Sequence, residues 1–194
     1  EIDWGKLVLG NNSSLILDKY HPYEDLPKLL NPPSGYLFNT NNSPFNSTSK
    51  EFNLKELNYP PTFNFKEKEN NRSIRFMELI KNYEKINYSD FKKIKYDQKY
   101  PDSLVLIGNI KSVFDLNNND FLEYSDLLSL IKKWDKKGDY NNLGAAQWST
   151  YYNFMLKELA EKNHDIEDTI PKEYHLNALK KSKKYLLKHF AKID

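Results

Sequence analysis

The 194-residue, 23.0 kDa chain carries 29 basic and 27 acidic side chains, and a net charge of +2 gives no strong pull toward nucleic acid or anionic lipid. With no cysteine, disulfides, thiol catalysis and thiolate metal sites are excluded. A mean hydropathy of -0.81, and no apolar run near the ~18 residues of a spanning helix, argue against a membrane protein.

The N-terminal third is punctuated by proline. Residues 1–69 hold seven of the nine prolines, at 22, 27, 32, 33, 44, 60 and 61. Helical periodicity is nearly absent there, and short extended pieces, Leu7–Leu9, Leu15–Leu17 and Tyr36–Phe38, are expected between turns. Such a segment is expected to drape over another surface as an arm. The sequence opens at Glu1, with neither an initiator Met nor a signal-like apolar stretch, and so reads as a piece of something longer.

From residue 70 to 194 the texture is helical. Arg72, Arg75, Phe76, Leu79 and Tyr83 share one stripe. Ser89 is the expected N-cap of a short helix around Phe91–Gln98. Pro101 is expected to open another, with Leu104, Ile107, Ile110 and Phe114 on one side. Leu127, Leu130, Ile131 and Trp134 continue the pattern, and Ala145, Trp148, Tyr152, Met155 and Leu159 give the cleanest amphipathic helix. Pro171 suits the first turn of a last helix, with Leu176, Leu179, Leu186 and Phe190 as its apolar edge. The expected fold is mainly α, a helical body with an irregular, short-strand N-terminal arm.

Lysine outnumbers arginine 27 to 2 and asparagine reaches 23, as an AT-rich coding sequence would give, so single Lys and Asn residues carry little information. The two arginines, Arg72 and Arg75, carry more, because a chain that otherwise uses Lys has placed rigid planar forks there. A chance pair on an ordinary helix is the plainer alternative.

Several motifs bear on chemistry. Asp115-Leu-Asn117-Asn-Asn119-Asp120-Phe121-Leu122-Glu123-Tyr-Ser-Asp126 resembles a calcium loop in its oxygen ligands. It puts Asp120 where the sharp turn needs glycine, and Asp126 where a longer bidentate Glu belongs. No cofactor is expected, with calcium at Asp115, Asn117, Asn119 and Asp126 the weaker alternative. His21, His164, His175 and His189 form no paired metal spacing, and for the last three a solvated imidazole is the default. The Lys180–Lys184 run reads as a solvated face.

Asn31-Pro-Pro-Ser-Gly35-Tyr36-Leu-Phe-Asn39-Thr-Asn41-Asn42-Ser-Pro44 is different. In a strand, Asn39 and Asn41 would present two carboxamides to one side, and a carboxamide N–H is an oxyanion donor. An Asx-turn exit from a strand accounts for the same spacing.

This stretch resembles the NPxSG–aromatic–N–NN–P motif of the penicillin acylase family, N-terminal-nucleophile amidohydrolases that include acyl-homoserine-lactone and aculeacin acylases. Asn71-Arg72-Ser-Ile-Arg75-Phe-Met-Glu-Leu-Ile80 is similar to the arginine-bearing helix that follows it. Tyr88-Ser-Asp-Phe, Tyr96-Asp-Gln and Tyr100-Pro resemble the next helices. Trp134-Asp135, then Gly144-Ala-Ala and Trp148, resemble the family's WDG turn and small-residue helix. Order and spacing hold over about residues 1–160; the last thirty residues match no family motif.

The resemblance implies that Asn41 is the oxyanion-hole asparagine and Arg72 the arginine that orders the site around the nucleophile's α-amine. Asn39 and Asn42 would shape the strand and turn; Asn31, Pro32, Gly35 and Pro44 would be structural. Family enzymes attack with a new N-terminal Ser whose own amine is the base, and Glu1 has no hydroxyl. The chain is therefore expected to be a segment of the β-chain region of an amidohydrolase, inactive alone. Its expected partners are the rest of the acylase polypeptide (the α-chain and the nucleophile-bearing part of the β-chain) and an N-acylated small-molecule substrate, with no nucleic acid and no membrane. The intact protein would be an αββα hydrolase, periplasmic or secreted. Lys136 departs from the family by standing where the WDG turn has glycine. From another functional class, the alternatives are a non-catalytic helical binding module and a degenerate relative that only binds acylated ligands.

Overall fold

The computed structural model describes residues 6–16, 19–63, 68–165 and 168–194; Glu1 and Leu17 lie outside them. Five α-helices follow one another: α1 (Asn71–Ile80), α2 (Tyr88–Lys95), α3 (Ser125–Lys133), α4 (Ala145–Glu161) and α5 (Lys172–Phe190). Short 3-10 turns fill much of the remainder, and the body is mainly α as expected. The described residues form no strand, only one isolated bridge between Lys99 and Lys137. The extended piece Tyr36–Phe38 lacks a ladder, since its Phe38 N–H bonds Ser47 O at 3.0 Å across a short loop instead.

The chain divides into two compact units, Glu1–Asn39 with Ser43–Lys68, and Thr40–Asn42 with Glu69–Asp194. In the first, Pro32 O accepts from Gly35 N–H at 2.9 Å, and Gly35 takes φ +77, a left-handed value that a side chain would strain. Pro44 opens a 3-10 turn capped by Ser43, and this turn buries Phe45. Thr48 Oγ1 donates to Tyr36 O at 2.8 Å and also meets Ser34 Oγ; Asn53 Oδ1 accepts from Ser47 and Thr48 N–H at 2.9 and 3.0 Å. The proline-rich motif thus closes on itself through side-chain-to-backbone bonds.

The second unit holds the hydrophobic core, where Ile110, Val113, Leu127, Leu128, Ile131, Tyr151, Met155 and Leu179 are fully buried. α4 and α5 pack antiparallel, with Phe154 against Tyr185 and Glu158 bonded to Asn177 (2.9 Å) and Lys181 (2.7 Å). Trp148 of α4 stacks on Trp134, which follows α3, at 5.4 Å. Gly144 makes this junction feasible. At φ +97, a Cβ there would lie 2.6 Å from Leu130 O and 2.9 Å from Trp134 Cβ.

Four local expectations are corrected. Asn87, not Ser89, caps α2, because its side-chain oxygen accepts from Asp90 N–H at 3.0 Å and puts Ser89 already inside the first turn. No helix starts at Pro101. The N–H groups of Asp102 and Val105 bond Glu78 Oε1 (2.9 Å) and Asn71 Oδ1 (2.7 Å), and Gly108 at φ +58 breaks the run before a 3-10 turn at Ile110–Asp115. Pro171 is the N-cap of α5 rather than part of its first turn. The buried face of α5 is His175, Ala178, Leu179, Ser182 and Leu186, while Phe190 is 62% exposed.

His175 is the largest departure from the solvated imidazole expected of it. Only 2% exposed, it holds Tyr151 Oη at 2.6 Å on Nδ1 and Ser112 Oγ at 3.5 Å on Nε2. Burial pushes its pKa down to about 4 and pushes that of the Tyr151 phenol up. The Lys180–Lys184 run is not a plain solvated face either, since Lys181 pairs with Glu158 and Lys183 with Asp126.

Candidate functional site

α1 begins with three residues that do different work. Asn70 is the N-cap, and its Oδ1 accepts from the N–H of Arg72 and of Ser73, both at 3.0 Å. Ser73 Oγ returns the bond by accepting from Asn70 N–H at 3.0 Å, which completes a capping box and satisfies otherwise orphaned donors. The same carboxamide turns its nitrogen the other way. Asn70 Nδ2 donates to Thr40 O (3.3 Å) and Asn41 O (3.1 Å), 29 positions back in sequence from Asn70 to Asn41. This is why Thr40–Asn42 belong with the helical unit rather than with their chain neighbours.

The Thr40–Asn42 segment is a tight bend and not a strand. Asn41 takes φ +63, a left-handed conformation that Asn tolerates better than most residues. Thr40 N–H and Oγ1 both donate to Asn42 Oδ1, at 2.6 and 2.9 Å. Of the two readings of this spacing, the strand with Asn39 and Asn41 side by side fails and a turn stands, because alternation requires extended backbone at Asn41. Asn39 belongs to the other compact unit. Of the motif's remaining residues, Asn31 also has a left-handed backbone (φ +48) and Pro32 is buried.

Asn71 pins the other flank of α1. Its Nδ2 donates to Val105 O at 2.8 Å and its Oδ1 accepts from Val105 N–H at 2.7 Å, so one side chain imitates a strand partner. Arg75 fixes the helix one turn on. Its guanidinium grips Asp97 through Nε (2.8 Å) and Nη2 (2.9 Å) and reaches Glu78 through Nη1 (3.0 Å). The Arg75 hydrogen bonds hold the Asp97 carboxyl below its usual range.

The two arginines are thus separated by role. Arg75 is committed to carboxylates. Arg72 is exposed, and its guanidinium makes no hydrogen bond or ion pair among the described residues. Arg72 also sits in the first turn, where the helix dipole disfavours a cation by ~0.3–1 kcal/mol. This cation in the first turn stands on a helix whose Asn70, Asn71, Ser73 and Arg75 side chains are all hydrogen-bonded.

Around Trp134-Asp135, Lys136 itself adopts φ +66, a left-handed value that glycine takes without strain. Asp135 Oδ1 accepts from Lys137 N–H (2.9 Å) and Asn142 Nδ2 (2.6 Å), and Trp134 Nε1 donates to Lys137 O at 2.7 Å. The calcium-like loop is a 3-10 turn at Asn118–Tyr124, with Asn117 as its cap. The Asp126 carboxylate is engaged by Lys183 Nζ at 2.7 and 3.0 Å. Asp115, before this turn, and Asn119, within it, are exposed. Among the described residues no cluster of three or more His, Cys, Asp or Glu is placed to hold a metal, and no helix is long and apolar enough to cross a membrane.

Motif reading found Asn41 and Arg72 but missed Asn70, the residue that touches both. Its signal, an Asn three positions before Ser with Arg between, is a plain cap pattern in a chain with 23 asparagines. A family model described as penicillin amidase matches residues 3–192. That match takes in all but the final two of the last thirty residues, where no motif is legible. No solved structure matches the chain.

Proposed function

The chain belongs to the penicillin amidase family, and from that premise we propose that it is the part of an N-acyl amide hydrolase that supplies an oxyanion donor and an arginine to the active site. The observation that carries this reading is the joint held by Asn70, which brings Asn41 and Arg72 to one helix end.

In this mechanism a hydroxyl from the rest of the polypeptide attacks the amide carbonyl as its proton passes to the nucleophile's own α-amine, which later gives it to the leaving amine. The carbonyl oxygen takes the electron pair, and the Asn41 Nδ2–H group donates to that oxyanion. Collapse expels the amine, which takes a proton, and leaves an acyl ester. Water then cleaves the ester through a second oxyanion at the same place. One such donor contributes roughly 3 kcal/mol to the transition state. Arg72 is exposed with an uncommitted guanidinium, which suits it to ordering the nucleophile's surroundings. The intact protein is proposed to act outside the cytoplasm, by family resemblance alone.

The test is turnover of a panel of N-acyl amides by the intact polypeptide, with mass spectrometry of the quenched protein. The reading expects amine release and a covalent acyl adduct. Saturable binding of the same amides without release of amine would favour a binding-only relative.

A further inference from the structure

We propose that Asn70 is a positioning residue for Asn41, a role that rests on the reading of Asn41 as oxyanion donor. Capping α1 needs only an oxygen, and Ser, Thr or Asp would supply one as well as Asn. What Asn adds is an NH2 group, and here it donates to two successive carbonyls, Thr40 O at 3.3 Å and Asn41 O at 3.1 Å.

The second of these bonds holds the peptide of the very residue whose side chain must aim. A left-handed backbone at a non-glycine residue is uphill unless its surroundings impose it, and Asn41 is at φ +63. Fixing its carbonyl fixes the peptide plane and, through it, the direction in which the carboxamide leaves the backbone. The base of the clamp is itself hydrogen-bonded on several sides. Ser73 locks the Asn70 backbone, Asn71 binds Val105 in both directions, and Arg75 is bidentate on Asp97. Because Asn70 Oδ1 also takes the Arg72 N–H, the separation of Asn41 from Arg72 is set by one planar group rather than by two independent loops.

The experiment is steady-state kinetics and melting of the intact polypeptide carrying Asn70→Ser or Asn70→Asp, each with and without Asn41→Gly. Ser and Asp keep a capping oxygen and lose the NH2 group that reaches Thr40 O and Asn41 O; glycine at 41 removes the carboxamide but tolerates the left-handed backbone. We expect either change at 70 to lower kcat about tenfold or more, as misplacement near 1 Å does, with KM and melting temperature nearly unchanged. In the Asn41→Gly background the change at 70 should lower kcat no further, since there is no carboxamide left to aim. Undiminished kcat in Asn70→Ser, or a full additional loss in the double variant, would overturn the proposal while leaving Asn41 its role. So would loss of stability in Ser and Asp variants alike, which would make the Asn70 NH2 group a tether of the fold and nothing more. If Asn41→Gly alone keeps full turnover, the reading of the site fails first and this role with it.

Discussion

The Asn70 side-chain amide donates to the backbone carbonyl of Asn41 at 3.1 Å, across 29 positions of sequence. The same group caps the helix that carries Arg72, so a helix terminus and a loop motif share one rigid joint. Several consequences can be measured.

Arg72 should be dispensable for folding. Its replacement by Ala removes a cation from the positive end of α1 and breaks no side-chain hydrogen bond or ion pair among the described residues. Stability should hold or rise by up to ~1 kcal/mol, while amide turnover by the intact polypeptide falls. A melting temperature that drops with activity would place Arg72 in the framework instead.

Arg75 should behave in the opposite way. Lysine cannot reproduce the fork that meets Asp97 at 2.8 and 2.9 Å and Glu78 at 3.0 Å. Arg75→Lys should cost about 2 kcal/mol of stability, read by denaturant titration. An unchanged midpoint would show that a point charge suffices there.

Acid should destabilise the helical unit in two steps. His175, buried and held at about 4, stays neutral in the folded protein while the unfolded chain takes up a proton near pH 6.5. Its contribution is therefore intact above pH 6.5 and lost as pH falls from 6.5 to 4, roughly 3 kcal/mol in all. Asp97, held low by Arg75, is stabilising above its unfolded value and adds a further loss only below about pH 4. Tyr151, Ser112 and Phe121 face the imidazole, and among the described residues it makes no hydrogen bond or ion pair with a charged side chain. Tyr151→Phe should lower stability by about 1–3 kcal/mol by orphaning Nδ1, yet leave the pH 6.5–4 window in place because burial causes it.

Gly144→Ala should be severely destabilising. The new Cβ would lie 2.6 Å from the Leu130 carbonyl oxygen, at a backbone angle of φ +97. A loss of about 2–3 kcal/mol is expected, with the Trp134–Trp148 stack, at 5.4 Å, reporting it through tryptophan fluorescence. Wild-type melting in this variant would contradict the packing described.

What was legible in the sequence follows from how local its cause is. The stripe from Ala145 to Leu159 depends on neighbours one turn away, and α4 forms there. The helix expected at Pro101 fails because Asn71, 34 positions earlier, takes the Val105 N–H that a helix opening there would bond to Pro101 O, and Gly108 turns left-handed at φ +58. His175 looked solvated because lysines surround it in sequence; α4 brings Tyr151 over it, and Ala178 and Ser182 are small enough to let that face bury. Asn41 stood out through a motif. Asn70 did not, because the oxygen of an asparagine advertises a cap while its nitrogen, which reaches Thr40 and Asn41, leaves no mark in the sequence.

The most direct measurement is kcat of the intact polypeptide carrying Asn41→Gly, alongside its melting temperature. Glycine accepts φ +63 without strain, so only the carboxamide is lost. The account expects kcat to fall about 100- to 1,000-fold with the melting temperature close to that of the unaltered protein. Turnover within a factor of two of the unaltered protein would contradict it, and Asn41 would then be a turn residue only.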